Sequence, residues 1–144
     1  MIEIVVENRS GVAADEDGAC ELARSVLAGE GIDAGELGLV FVAPEESRRL
    51  KREHLGIDEP TDALAFPIDG RDTLPDGLPR QLGDVVLCPQ VVGDVWRPPL
   101  VHAVLHLLGY DHAEPEEHAV MFGTQDQLLK AWKSEQDTKG RPGL

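Results

Sequence analysis

The order of apolar and polar positions along the chain predicts a mixture of short strands and helices. Two-residue alternation is typical of a half-buried strand, a short apolar run is typical of a buried one, and apolar positions three or four residues apart indicate a helix. On these patterns the strands are predicted at residues 2–7, 36–43, 61–66 and 82–87, and the helices at residues 16–27, 45–54, 89–95, 98–108 and 115–132.

The succession of predicted elements favours a single α+β domain with a mixed sheet of about four strands packed with helices. The third and fourth strands flank residues 67–81, which are rich in Pro, Gly and Asp, so we expect an antiparallel pair with a long connection. The domain is predicted to span residues 1–133. Residues 134–144 are polar and are predicted to form a flexible tail.

The composition favours a cytoplasmic protein without a membrane segment. Of the 144 residues 42% are hydrophobic, and no run approaches the roughly 20 apolar residues that span a bilayer. The N-terminal strand has no basic region before it, which argues against a signal peptide. Cys20 and Cys88 are predicted to be buried thiols in a reducing compartment. The net charge of −14 opposes general binding to nucleic acid, so an RNA substrate would need a local basic patch or a metal.

Three of the five histidines lie within eleven residues, at His102, His106 and His112. On the predicted helix the first two lie one turn apart on one face, and Gly109 is suited to end the helix and let the chain bring His112 back. The rest of this helix is apolar, and buried imidazoles are costly unless each nitrogen has a partner. Three converging imidazoles with an open fourth position predict a catalytic zinc site on the helix and the turn that follows it.

A metal held by neutral imidazoles keeps its Lewis acidity, which favours hydrolysis. The histidine spacing also matches the metzincin peptidases, but those enzymes need Glu directly after the first histidine, where this chain has Ala103. Peptide hydrolysis by that mechanism is therefore not expected. A catalytic general base is not assigned; the acidic residues nearest the motifs are Asp62, Asp84, Asp111 and Glu114.

One dense group of cations stands out in this acidic chain, and we call it the basic cluster: Arg48, Arg49, Lys51 and Arg52. It either attracts RNA phosphates or forms an ordinary solvated helix face. On the first hypothesis, Arg49 and Arg52 are the predicted substrate-binding residues.

The histidine segment resembles the YbeY family of metal-dependent endoribonucleases. The family signature His-Gly-x-Leu-His-Leu-x-Gly-Tyr-Asp-His is present from His102 to His112, with Ala103 in place of glycine. Residues 61–67 (TDALAFP) and 82–88 (LGDVVLC) are similar to two further family segments, and the resemblance covers roughly residues 50–129.

The resemblance implies that His102, His106 and His112 bind one zinc ion in a hydrolase that cuts single-stranded RNA. It further implies a role in 3′ end processing of small-subunit ribosomal RNA and in ribosome quality control. The ribosome, and a ribosomal or GTPase protein, are the implied partners. Leu55 stands where the family often has an arginine that could bind phosphate, so the chain departs from the family pattern there.

Two other functions are compatible with the sequence. One is a metal-dependent hydrolase of a non-RNA substrate, and the other is a ribosome-assembly binding factor that uses the metal structurally. A structural zinc site needs a fourth protein ligand, for which His118 and Cys88 are the candidates. An open fourth position favours an enzyme.

Overall fold

The structure is a computed structural model that describes residues 2–59, 61–75, 77–110 and 114–139. Nine elements follow one another in the predicted order, with ends that shift by a few residues. They are β1 (Ile2–Asn8), α1 (Glu16–Gly29), β2 (Gly35–Phe41), α2 (Pro44–Leu55), β3 (Ala63–Pro67), β4 (Gln81–Leu87), α3 (Pro89–Val92), α4 (Arg97–Leu107) and α5 (Pro115–Lys139).

The four strands form one mixed sheet in the order β1-β2-β4-β3. β1 pairs with β2 and β2 pairs with β4 in parallel, whereas β3 and β4 are antiparallel. A single row of paired residues, Val6, Leu39, Val85 and Ala65, crosses all four strands and faces the main core. The predicted α+β fold with a four-stranded mixed sheet, and the predicted antiparallel pair, are confirmed.

The two faces of the sheet carry different helices. Alternate residues of a strand point to opposite faces, and in β3 Ala63 and Ala65 pack into the main core while Leu64 and Phe66 pack into a smaller one. The main core includes residues of α1, α4 and α5, and the smaller core includes Leu50 of α2. Helices α2 and α4 therefore lie on opposite faces of the edge strand β3.

Helix α4 is the central element of the main core. It packs against β3, β4, α1 and α5, and its six fully enclosed side chains are Leu100, Val101, Ala103, Val104, Leu105 and Leu107. Each buried leucine stabilises the fold by roughly 2 kcal/mol through the loss of apolar surface from water. Pro98 and Pro99 occupy the first turn, where a helix tolerates a missing N–H. The two histidines of α4 are half-buried on one stripe of this otherwise apolar helix.

The C-terminal helix is longer than its apolar pattern predicts. The predicted end was residue 132, whereas α5 continues to Lys139. Lys133, Glu135 and Gln136 in this stretch have good helix propensity. The flexible tail at 134–144 stays a prediction, with its first six residues helical and residues 140–144 outside the described part of the chain. Across the described residues, every helix is too short or too polar to cross a membrane.

Candidate metal centre

Two imidazoles meet on the half-buried stripe of α4. His102 and His106 are one turn apart, their ring centroids are 4.7 Å apart, and the rings are nearly perpendicular, at 81°. The two Nε2 atoms face each other at 3.2 Å. The predicted convergence of the first two histidines is thus present in the structure.

The other nitrogen of each ring is bonded to an oxygen. His106 Nδ1 lies 2.9 Å from the backbone carbonyl oxygen of Tyr110, and His102 Nδ1 lies 3.0 Å from Oε1 of Gln125. A carbonyl oxygen only accepts hydrogen bonds, so each Nδ1 carries a hydrogen, and a neutral ring of this tautomer has its lone pair on Nε2. Both lone pairs then point into the same small space, an arrangement that a shared cation stabilises.

The Nε2 pair fits two ligands of a tetrahedral metal. With Zn–N bonds of about 2.0–2.1 Å, two tetrahedral ligand nitrogens are separated by roughly 3.3 Å, close to the 3.2 Å found here. Both Nδ1 atoms already donate to oxygens, which is the usual way in which metal-bound histidines are oriented. His112, the third predicted ligand, lies outside the described residues. Within the described part of the chain no three His, Cys, Asp or Glu side chains gather into a metal site.

The turn after α4 is held by a backbone hydrogen bond and by contacts of Tyr110 with Glu30 and Arg71. Gly109 adopts a left-handed conformation, with φ of +98°, and the Tyr110 N–H donates to Leu105 O at 3.1 Å. The Tyr110 hydroxyl is hydrogen-bonded to the Glu30 carboxylate, which with partial burial raises the pKa of this tyrosine. Arg71 donates to the same carboxylate at 2.6 Å, and its guanidinium lies 5.9 Å from the Tyr110 ring centroid. The contacts hold the Tyr110 carbonyl where it orients His106.

The long connection between β3 and β4 packs against the end of α4. A Cβ atom at Gly70, whose φ is +50°, would lie 2.6 Å from the Leu107 carbonyl oxygen. Arg80 donates to the carbonyl oxygens of Gly70 and Asp72 at 2.6 and 2.9 Å, which fixes the path of the connection. The connection therefore lies against the C-terminal end of α4. The side chains of Arg71 and Arg80 both make hydrogen bonds within the protein.

A cleft of about 330 Å³ opens beside the two histidines. Its walls are formed by β3, by the first turns of α4 and by Phe122 and Gln125 of α5. Asp62 is the one charged side chain among the described lining residues. Its Oδ1 accepts a hydrogen bond from Ala63 N at 2.7 Å, so this carboxylate also shapes the start of β3.

The remaining acidic and ligand candidates lie elsewhere or outside the described residues. Asp84 is exposed, on the sheet face opposite α4, because its neighbour Val85 packs into the main core. Glu114 is exposed just before α5, and Asp111 is outside the described residues. His118 is exposed and stacks on Phe122, while Cys88 is fully buried at the end of β4 and does not line the cleft.

The basic cluster lies on α2, away from the histidine cleft. Arg48 makes a two-pronged contact with Asp58, at 2.7 and 3.1 Å, which raises the pKa of the arginine and lowers the pKa of the carboxyl. Lys51 lies 2.9 Å from Glu59. Arg49 is paired with Glu46 and Glu53, and Arg52 lies 3.9 Å from Asp58. The cleft and the cluster flank β3 from opposite faces, and every cation of the cluster has a carboxylate neighbour.

Gln125 is a site residue that the sequence analysis did not identify. It is 8% exposed and lies on the buried face of α5 with Met121, four residues before it, and Leu128, three residues after it. An amide on an apolar helix stripe needs a hydrogen-bond partner, and that periodicity is the signal by which it could have been found. Its partner is His102.

The chain that carries this histidine pair is similar in sequence to a known family and to several proteins. The family model described as Endoribonuclease YbeY matches residues 7–133. A protein named Endoribonuclease YbeY from Rhodococcus opacus is 40% identical over 148 residues, which cover 91% of this chain and 82% of that protein. Proteins of the same name from Salinispora tropica and Acidothermus cellulolyticus are 38% and 39% identical, covering 92% and 97% of this chain and 98% and 97% of theirs.

The chain belongs to the YbeY family. The resemblance drawn from the histidine signature and the two flanking segments is thereby confirmed. A protein of Thermotoga maritima with a known solution structure aligns with 100% of this chain and 99% of its own, with 24% identity and a TM-score of 0.54. That likeness supports the same overall fold.

Proposed function

We propose that this protein is a metal-dependent endoribonuclease that cuts single-stranded RNA. The observation that carries the proposal is the pair of Nε2 atoms, 3.2 Å apart at the edge of a cleft, in a chain of the YbeY family. The proposal extends to 3′ end processing of small-subunit ribosomal RNA and to ribosome quality control in the cytoplasm. A ribosomal or GTPase protein is the proposed protein partner.

In this proposal His102 and His106 hold one zinc ion together with His112. A zinc ion held by these residues would lower the pKa of a bound water towards neutrality and would polarise a phosphoryl oxygen. The chain's own contribution is orientation. The Tyr110 carbonyl and the Gln125 amide oxygen hold the two rings so that the Nε2 atoms face each other beside the cleft. Ala103 and its apolar neighbours keep water from the buried side of α4.

The first experiment measures RNA cleavage and metal content together. Wild type and the variants His102→Ala and His106→Ala are loaded with zinc and given defined single-stranded and duplex RNAs. Wild type should cut the single strand and hold one zinc, while each variant loses both activity and tight zinc binding. His54→Ala, an exposed histidine on α2 across the sheet, is the matched control and should behave as wild type.

Other outcomes point to the other functions. Full zinc occupancy in both histidine variants would refute the assigned ligands. Zinc-dependent cleavage of a peptide or amide without RNA cleavage would make the protein a hydrolase of another substrate. Tight RNA or ribosome binding with no cleavage of any substrate would favour an assembly factor.

The second experiment tests the proposed RNA attraction by Arg49 and Arg52. The double charge reversal Arg49→Glu and Arg52→Glu should weaken RNA binding at low salt, and most of the loss should disappear at high salt. Zinc content should not change, because the cluster lies on the opposite face of β3 from the histidines. Unchanged binding at low salt would show that the basic cluster, with its carboxylate partners, is only a solvated helix face.

A further inference from the structure

The free edge of β3 borders the histidine cleft. β3 is a terminal strand of the sheet and pairs with β4, and among the described residues no strand lies along its other side. Ala63 and Ala65 of this strand line the cleft together with His102 and His106. Both alanines pack into the main core, yet each is only half-buried. Solvent therefore reaches this strand beside the two imidazoles.

The hydrogen bonds at the two ends of the β3–β4 ladder show which peptide groups face the free edge. Asp62 O accepts a hydrogen bond from Cys88 N at 2.9 Å, and Leu82 O accepts one from Ile68 N at 3.1 Å. Bonded and non-bonded positions alternate along an antiparallel pair. The even-numbered residues of β3 therefore bond with β4, and the odd-numbered residues direct their N–H and C=O groups to the free edge.

Ala65 is the edge residue of β3 that offers both a donor and an acceptor. The Ala63 N–H already donates to Asp62 Oδ1 at 2.7 Å, and Pro67 has no N–H. In an extended residue the N–H and the C=O point the same way, as they do when two strands exchange bonds. Ala65 thus presents one donor and one acceptor side by side at the edge of the cleft.

We propose that the main chain of Ala65 binds the sugar–phosphate backbone of the RNA next to the cleavage site. Its N–H donates to a phosphate oxygen, and its C=O accepts a hydrogen bond from a 2′-hydroxyl. This inference rests on the proposed ribonuclease function, which brings the phosphate to be cut to the histidine pair beside this edge. Backbone N–H groups are common phosphate donors, and the 2′-hydroxyl is the group by which a protein distinguishes RNA from DNA.

A neutral donor is suited to the charges around this cleft. The basic cluster lies on the opposite face of β3, and its cations have carboxylate neighbours. No Lys or Arg is present among the described residues that line the cleft. A zinc ion at the histidine pair would more than offset the single negative charge of Asp62. A phosphate held there would therefore need its further hydrogen bonds from neutral groups, such as the Ala65 N–H.

The same edge is poorly suited to an added peptide strand. A peptide that extends a sheet exchanges hydrogen bonds at successive edge positions. Because the Ala63 N–H is already bonded and Pro67 has none, a peptide could exchange both bonds only at Ala65. One nucleotide needs just one donor and one acceptor, so the edge fits RNA better than a peptide.

The first test removes the donor and leaves the strand in place. Proline is tolerated on an edge strand where its missing N–H faces away from the ladder, so Ala65→Pro should fold and bind zinc like wild type. It should lower kcat/KM for single-stranded RNA by about 10- to 100-fold, the loss expected for a hydrogen bond to a charged group. Ala63→Pro is the matched control and should have little effect, because Asp62 already holds that N–H.

A second variant removes the same hydrogen if proline disturbs the strand. Lactic acid in place of Ala65 turns the amide into an ester, which has no N–H but keeps the side chain. Lactic acid in place of Ala63 is its control, since each ester also weakens the preceding carbonyl in the ladder with β4. A loss of activity at position 65 alone supports the proposal. Equal losses at both positions overturn it, because the N–H would then matter only to the strand.

The matching change in the RNA is a single 2′-deoxy nucleotide next to the mapped cleavage position. It should lower kcat/KM of wild type by about 3- to 10-fold, as for one neutral hydrogen bond. In Ala65→Pro this effect should nearly disappear, because a nucleotide no longer held by its phosphate also loses the sugar contact. In Ala63→Pro it should persist. No effect in wild type, or the same effect in all three proteins, overturns the proposal.

Amide hydrogen exchange separates this inference from the ribonuclease function. In the full-length protein, with or without zinc, the Ala65 amide should exchange faster than those of Leu64 and Phe66. A single-stranded oligouridylate should slow it, and DNA of the same length should do so less. Protection without cleavage refutes only the nuclease proposal. Cleavage without protection, or neither, refutes the contact, and so does protection by a lysine-rich peptide but not by RNA.

Discussion

Replacement of Gln125 should separate metal affinity from fold stability. In Gln125→Leu the apolar side chain has a similar length, and it joins a buried stripe that contains Met121 and Leu128. The variant removes the oxygen that accepts the hydrogen of His102 Nδ1 at 3.0 Å. In Gln125→Glu an oxygen acceptor remains, now with a negative charge.

The contacts of Gln125 indicate how much the variant should change the free energy of unfolding and the metal affinity. Leucine gains roughly 1–2 kcal/mol from apolar burial, whereas the lost hydrogen bond and the unsatisfied N–H cost about 1–3 kcal/mol. The net change in the free energy of unfolding of the metal-free protein should therefore lie between a gain of about 1 kcal/mol and a loss of about 2 kcal/mol. Loss of a partner that orients a metal-bound histidine typically lowers metal affinity by about 10- to 100-fold.

The assay is a competition titration of zinc against a chelator, accompanied by thermal unfolding of the metal-free protein. Gln125→Leu should lose at least tenfold in zinc affinity while the Tm shifts by only a few degrees, and Gln125→Glu should keep or exceed the wild-type affinity. Gln127→Leu, an exposed change on the same helix, is the control. Nitrogen NMR of the His102 ring should show hydrogen on Nδ1 in wild type. Wild-type zinc affinity in Gln125→Leu, or hydrogen on Nε2, would refute the assigned orientation.

Three further predictions concern backbone strain and titrating groups. Gly70→Ala should destabilise the protein by about 2–4 kcal/mol, because a Cβ there meets a carbonyl of α4 at 2.6 Å; Gly77→Ala, with open space around it, should cost only about 1 kcal/mol in denaturant unfolding. The folded-state pKa of Asp58 is lowered by its hydrogen bond with Arg48, so the resulting stabilisation is present above the unfolded pKa of about 4 and is lost as the pH falls through the folded pKa. Carboxyl NMR should find that this pKa rises towards its ordinary value in Arg48→Met, where Arg52 remains nearby. Burial raises the pKa of the Cys20 thiol, so its alkylation, followed by peptide mass spectrometry, should be slower at pH 8 than that of an exposed thiol.

Local patterns were sufficient to predict the helices and strands and the pairing of His102 with His106. The alternation in β1 and the helical spacing in α1 depend on neighbouring residues, so they can be recognised along the chain. The spacing of His102 and His106 likewise predicted two rings on one helix face. The antiparallel pair of β3 and β4 was predicted because the two strands are consecutive, and adjacent strands in sequence usually pair.

Long-range pairing was not predictable in the same way. The parallel neighbours of β2 are separated from it by whole helices, and no local pattern specifies the order β1-β2-β4-β3. No local pattern shows on which face of β3 the basic cluster lies. In the structure, Leu64 and Phe66 of β3 point to the sheet face opposite Ala63 and Ala65. Helix α2 packs on that opposite face and therefore lies away from the histidines. The contact between His102 and Gln125 joins residues 23 positions apart and depends on how α5 packs on α4.

In the proposed metal site, the bond between His102 and Gln125 would also couple metal binding to the docking of a helix. Gln125 reaches the ring only while α5 is packed on α4. A cation that binds more tightly to the correctly oriented ring therefore also binds more tightly to the state in which α5 is docked. By thermodynamic linkage, each must stabilise the other. Transient undocking of α5 would then set the rate at which the cation escapes. Amide hydrogen exchange along α5 should slow when zinc is added, with the strongest protection in the turns around Gln125.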